Sequence, residues 1–226
     1  QWDTNFRLPS GVAEPLRMTT NVYDPDGALC GARAALCSRT IQATTDANGS
    51  QAFSATPTGS PRVWAYTYNA NGSVLTVNGP RTDVSDVTTY SYYTDTDPEL
   101  GKRGNLASVT NAAGHLTSIT AYNGHGQPLA ILDANALTTT LTYDERLRLT
   151  SRTVGSETTS YEYDGVGQLT KITLTDGSFL TYSYDAAHRL TGMQDNQGNS
   201  IVYTLDAMGN RTLEEVRDPG NNLAQT

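Results

Sequence analysis

Residues 160–191 read SYEYDGVGQLTKITLTDGSFLTYSYDAAHRLT and contain one short phrase twice. The first copy is Tyr163-Asp164, followed by Gly167 and Leu169-Thr170; the second is Tyr184-Asp185, followed by Arg189-Leu190-Thr191. Midway between them lies another turn signal, Asp176-Gly177. About six to eight residues separate successive turn signals, a length that suits strands rather than helices. An Asp side chain accepts hydrogen bonds from backbone N–H groups two residues on, and Gly tolerates a positive φ, so each phrase encodes a hairpin turn. One repeat is therefore a two-stranded hairpin unit.

Working outward, near-copies occupy residues 121–129, 142–150, 162–170, 183–191 and 204–212. Their aligned residues Tyr122, Tyr143, Tyr163, Tyr184 and Leu205 are 21, 20, 21 and 21 positions apart, which marks a repeat array. Gly126, Asp144, Asp164, Gly167, Asp185, Asp206 and Gly209 are the turn residues of these copies. Looser copies begin at Tyr23-Asp24 with Gly27, and at Tyr68 with Gly72. A further unit around residues 90–93 is interrupted by 94–103 and resumes at Gly104-Asn105-Leu106, and a second insertion covers about residues 28–39. The expectation is a single array over residues 1–226, best formed over 121–212. It is all-β, with at least eight antiparallel strands, no helix longer than two turns, and turns at 164–167, 176–177, 185–188, 196–198 and 206–209. Period-2 alternation places Tyr161 with Tyr163, Tyr182 with Tyr184, and Tyr203 with Leu205 on one face.

Composition narrows the function classes. The 226 residues are 37% hydrophobic and 17% charged, with a mean hydropathy of -0.46, unlike a disordered acidic tail. No run approaches the roughly 20 apolar residues of a spanning helix. Fifteen Lys+Arg against 23 Asp+Glu leave a net charge of -8, which argues against nucleic acid or an anionic membrane as partner. Thirteen of the 18 aromatics are Tyr, as suits strands partly open to water. The chain opens at Gln1-Trp2 without Met or a signal segment and reads as a piece of something longer.

The phrase from Tyr163 to Leu169, the one from Tyr184 to Thr191, and the looser copies from Tyr23 to Arg211 resemble the RHS/YD-repeat family. That family comprises bacterial polymorphic toxins, the shells of insecticidal Tc toxins and related teneurin shells. The segment Arg146-Leu147-Arg148-Leu149-Thr150 keeps the Leu and loses the Gly, a departure expected of a degenerate repeat. The resemblance implies a curved, continuous sheet of hairpins, part of a hollow shell around a C-terminal toxin or other cargo. It implies partners in the rest of the shell and in that toxin, a secreted or cell-surface bacterial location, and no catalytic residue in the repeats. Asp218-Pro219-Gly220 only partly matches the family's autocleavage signature. It reads as the end of another degenerate repeat with Arg217 in the Tyr position.

Other chemistry is weakly encoded. His115, His125 and His188 fall in or beside turns, and no nucleophile elbow, HExxH or Walker loop is present. The repeat carboxylates are equivalent turn residues, so they lack the contrasting environments that an acid–base pair needs. Asp95, Asp97 and Glu99 alternate like calcium ligands but lack the rest of an EF-hand loop, and a solvated acidic loop is the simpler reading. Asn48, Asn71 and Asn210 head sequons that double as turns. Cys30 and Cys37 are either a disulfide or two small buried thiols, with no zinc pattern. No cofactor, metal or enzyme activity is expected. The alternative function is an extracellular module that binds carbohydrate or a partner through exposed Tyr rings. Self-association is a further expectation, through unpaired sheet edges, with Trp2, Phe6, Leu8 and Pro9 less protected than the charged C-terminal end.

Overall fold

A computed structural model describes residues 1–226. It contains eighteen strands and a single 3₁₀ turn at Ala52–Ser54, and within each compact unit the strands pair antiparallel with their chain neighbours. Two compact units are distinguished, residues 1–119 with 123–126, and residues 120–122 with 127–226.

The first unit holds β1 (Gly11–Glu14), β2 (Arg17–Tyr23), β3 (Leu36–Thr44), β4 (Pro57–Tyr68), β5 (Val74–Asn78), β6 (Val87–Tyr92), β7 (Leu106–Thr110) and most of β8 (Leu116–Tyr122). The second holds β9 (Pro128–Leu132), β10 (Thr138–Tyr143), β11 (Leu149–Val154), β12 (Glu157–Tyr163) and β13 (Leu169–Thr173). It continues with β14 (Phe179–Tyr184), β15 (Leu190–Asp195), β16 (Ser200–Leu205), β17 (Arg211–Arg217) and β18 (Leu223–Gln225). The repeat phrase explains the register. Tyr143 pairs with Leu149, Tyr163 with Leu169, Tyr184 with Leu190 and Leu205 with Arg211, and each pairing sits at a bulge. The bulge arises because the fourth turn residue is left-handed, with φ of 64° at Leu147, 101° at Gly167, 64° at His188 and 89° at Gly209. Such a type I turn followed by a left-handed residue is a favoured three-residue hairpin loop.

Alternation then separates the faces. Across β12–β17 one face carries Tyr161–Ile172–Leu180 and Tyr182–Met193–Ile201–Val216 as cross-strand rows. The opposite face is rich in hydroxyls: Thr142 pairs with Ser151 at 2.7 Å and Thr153 with Thr158 at 2.9 Å. In the first unit Thr67 pairs in the same way with Thr76, and Ser91 with Ser108. Cross-strand pairs of this kind are the unit of sheet stabilisation. The only apolar side chains classed as buried are Cys30, Ala32, Cys37 and Ala55, so most of the aliphatic and Tyr face is half-buried.

Four expectations are corrected. The first insertion ends at Ala35, because Leu36 already pairs with Tyr23 as Leu190 does with Tyr184; residues 36–39 belong to β3. Gly27 has φ 95° but lies inside that insertion, and the left-handed residue that closes the hairpin is Ala34, at 63°. Asp218 opens a mid-repeat turn rather than a new repeat. Pro219 lies 3.3 Å from where a Cβ on Gly198 would sit, which places this turn beside the mid-repeat turn at 195–199. Finally, the N-terminal edge is not bare: the N–H groups of Ser10 and Gly11 donate to the Gln1 carbonyl, the Gln1 amino group donates to the Gly11 carbonyl, and Trp2 bridges Pro9.

Candidate functional site: tyrosine ties and carboxylate-capped turns

Each regular turn is built around its Asp. In the turn opened by Asp164, Oδ1 accepts N–H bonds from Val166, Gly167 and Gln168 at 3.0, 2.8 and 2.8 Å. The Asp164 N–H donates to the Gln168 carbonyl, and the Gly167 N–H donates back to the Asp164 carbonyl. Asp144 and Asp185 add an ion pair with Arg148 and Arg189, each at 2.7 Å. The carboxyls of Asp144 and Asp185 lie below their ordinary range, first because of the backbone N–H of that Arg and then its guanidinium. Burial works against the charge of Asp164, but its three N–H partners outweigh it and the carboxyl is again lowered. These carboxylates are committed to holding turns.

The tyrosines join one repeat to the next. The hydroxyl of Tyr143 donates to the carbonyl of Pro128, Tyr163 to Leu149, and Tyr184 to Leu169, at 3.1, 2.9 and 2.9 Å. Each acceptor stands six residues after the Tyr position of the preceding repeat. Within the first unit Tyr92 reaches Val74 in the same register, and Tyr68 reaches Leu36 beyond the insertion. Burial raises the phenols of Tyr68, Tyr92, Tyr143 and Tyr184, which keeps them protonated as donors. Leu205 takes the Tyr position but has no hydroxyl, so the repeat it opens lacks this tie.

A second set of ties was not anticipated. Five residues after the Tyr position stand Gln127, Arg148, Gln168 and Arg189. They donate to the carbonyls of Leu147, Asp164, His188 and Asp206 in the following turn, at 2.9, 3.3, 3.0 and 2.9 Å. The Arg148 guanidinium also lies 4.6 Å from the Tyr163 ring centre. The signal was legible as a run of long planar donors at one repeat position. In the first unit that position is Ser73, which is short, and a cavity of about 360 Å³ opens there between residues 69–73 and the 94–103 insertion.

Of the other expected repeat residues, Tyr68 ends β4, and Gly72 and Gly126 occupy turn positions with φ of 82° and 79°. Asp24 is fully buried; its carboxylate accepts N–H bonds from Asp26 and Gly27 on Oδ1 and from Leu29 and Cys30 on Oδ2. Burial pushes its pKa up, but the four N–H groups bring the net shift below the ordinary value. Cys30 and Cys37 form a disulfide beside it. Asp24, Cys30 and Cys37 lie within one ligand-sized cluster, but the sulfurs are bonded to each other and the carboxylate is spent on four amides, so the donor set suits no metal ion. Asp95, Asp97 and Glu99 go separate ways, to Asn71, to the Glu99 N–H and to Lys102. His115, His125 and His188 are exposed.

The fold and the ties define an antiparallel array of hairpins with repeated joints, a scaffold class. The family model described as RHS Repeat matches residues 122–159, 163–200 and 184–222. By this match the second unit carries RHS repeats. No curated protein sequence is significantly similar. Among solved structures, the chain resembles the crystal structure of TcdB2-TccC3-Cdc42, with a TM-score of 0.69 and 16% identity over 99% of this chain. It also resembles TcdB2-TccC3 without its hypervariable C-terminal region, with a TM-score of 0.72 and 16% identity over 96% of this chain. A third is the Photorhabdus luminescens Tc holotoxin pore with a TccC3 variant, with a TM-score of 0.69 and 18% identity over 96% of this chain. The likeness is one of fold, and the chain spans only 13, 12 and 12% of those chains.

Proposed function

We propose that this chain is a stretch of wall in a secreted bacterial shell that encloses and delivers a toxin, with a structural rather than enzymatic role. Its partners are then the neighbouring wall and the enclosed toxin. The observation that carries this reading is the pairing of regular joints with an unfinished core. The ties run from repeat to repeat through Tyr143, Tyr163 and Tyr184, while the Tyr and aliphatic face of β12–β17 stays half-buried. Such a face gains by lying against further protein. Similarity of fold to Tc toxin structures supports the same reading.

The test is electron cryo-microscopy of the intact parent protein, combined with limited proteolysis. The expected result is a closed hollow body whose wall contains residues 120–212, with the enclosed polypeptide resistant to protease until the wall is opened. A parent protein in which this array stands apart from any closed wall would refute the reading.

A further inference from the structure

The first repeat departs from the rest where its turn carries the insertion. In the regular repeats a side chain crosses from one turn to the next; here the backbone does. The carbonyl of Cys30 accepts the N–H of Tyr68, at the end of β4, at 2.7 Å. Gly31 sits so close that an added Cβ would lie 2.0 Å from the Tyr68 carbonyl oxygen. The inserted loop is thus clasped onto the next hairpin, and Cys30, the residue that makes the clasp, is bonded to Cys37 within β3. A covalent path therefore runs from β3 through the disulfide to Cys30, and a single hydrogen bond completes it to β4.

We propose that this disulfide operates a redox-sensitive clasp between the β2–β3 hairpin and β4. The inference is independent of the shell reading above. A dithiol reductant attacks the S–S bond and is itself oxidised to a disulfide; its two electrons and two protons leave Cys30 and Cys37 as thiols. Cys30 then loses its anchor to β3 and keeps only its hydrogen bonds to Asp24 and Tyr68. The ladder between β3 and β4 and the bond from the Tyr68 hydroxyl to the Leu36 carbonyl do not depend on the disulfide. Reduction accordingly loosens the loop without dismantling the hairpins. In an oxidising medium the seam is closed, and in a reducing one it opens locally.

Hydrogen exchange on the intact chain, with and without dithiothreitol, tests this, with alkylation used to verify full reduction. The Tyr68 amide should exchange about tenfold faster or more after reduction, while amides across the β3–β4 ladder keep their protection. The Cys30→Ser/Cys37→Ser double variant should show the reduced pattern without reductant; if it does not fold, the reduced natural chain decides alone. Unchanged Tyr68 exchange after complete reduction overturns the proposal. So does loss of protection throughout the first unit, which would make the bond a staple of the whole fold.

Discussion

The second unit achieves by repetition what the first achieves by local devices. From β9 to β18 the same Asp-capped turn and, up to Tyr184, the same Tyr tie return with each repeat, and no residue is more than a modest share of the whole. In the first unit, stability gathers at a few irregular places: the fully buried Asp24, the disulfide, and Gly31 against Tyr68. Repetition spreads the effect of a single change, and irregularity concentrates it. That contrast sets the order of expected effects.

Acid should separate the regions most. In the second unit Asp144, Asp164, Asp176, Asp185, Asp195, Asp206 and Asp218 all have lowered pKa values, whereas in the first only Asp24 and Asp83 do. A folded-state pKa below the unfolded one of about 3.9 contributes stability that is fully present above that value and is lost as pH falls through the folded one. Amide exchange followed from pH 6 down to about pH 2 should show the second unit losing protection first. Simultaneous loss would remove the distinction.

Glycine substitution should give the next largest difference. Gly31→Ala forces a Cβ into the Tyr68 backbone and should cost about 3 kcal/mol or more. Gly177→Ala meets open space and carries only the left-handed backbone penalty, about 1–2 kcal/mol. Denaturant melts of the two variants give the comparison directly, and equal losses would contradict it.

Smaller again is the loss of one tie. Tyr163→Phe removes a hydroxyl bonded to the Leu149 carbonyl and should cost about 1 kcal/mol, read from the same melts. The smallest change should be a gain. His188 holds φ 64° without being Gly, so His188→Gly should relieve up to about 1 kcal/mol in a thermal melt, after allowance for the greater freedom of Gly when unfolded. A loss there would mean that the bond between the His188 ring and Gln168 outweighs the backbone term.

How far the sequence led differs between the same two regions. The regular turns were legible because one local rule, Asp followed by a left-handed residue, repeats at a fixed period. Leu147 and His188 stand in for Gly without altering the turn, since neighbouring ties hold the backbone there. The far end of the insertion at 28–39 is hidden in the sequence because Cys37 resembles part of the loop, whereas strand register, a long-range property, resumes at Leu36. At Arg217-Asp218 the sequence is ambiguous because the regular turn and the mid-repeat turn use the same Asp chemistry; only position in the period separates them. The Gln and Arg ties show in the sequence only through their donors, Gln127, Arg148, Gln168 and Arg189 at one repeat position, because each acceptor is a backbone carbonyl that any residue carries.

A tyrosine hydroxyl bonded to the carbonyl of the preceding repeat joins one hairpin to the next. Leu205 offers the direct test, since it holds the Tyr position without a hydroxyl, and the counterpart of the acceptors at Leu149 and Leu169 is Leu190, six residues after Tyr184. Leu205→Tyr should install the missing tie and stabilise the chain by about 1 kcal/mol relative to Leu205→Phe, which adds the ring alone. If the two variants melt together, the hydroxyl does not join the repeats.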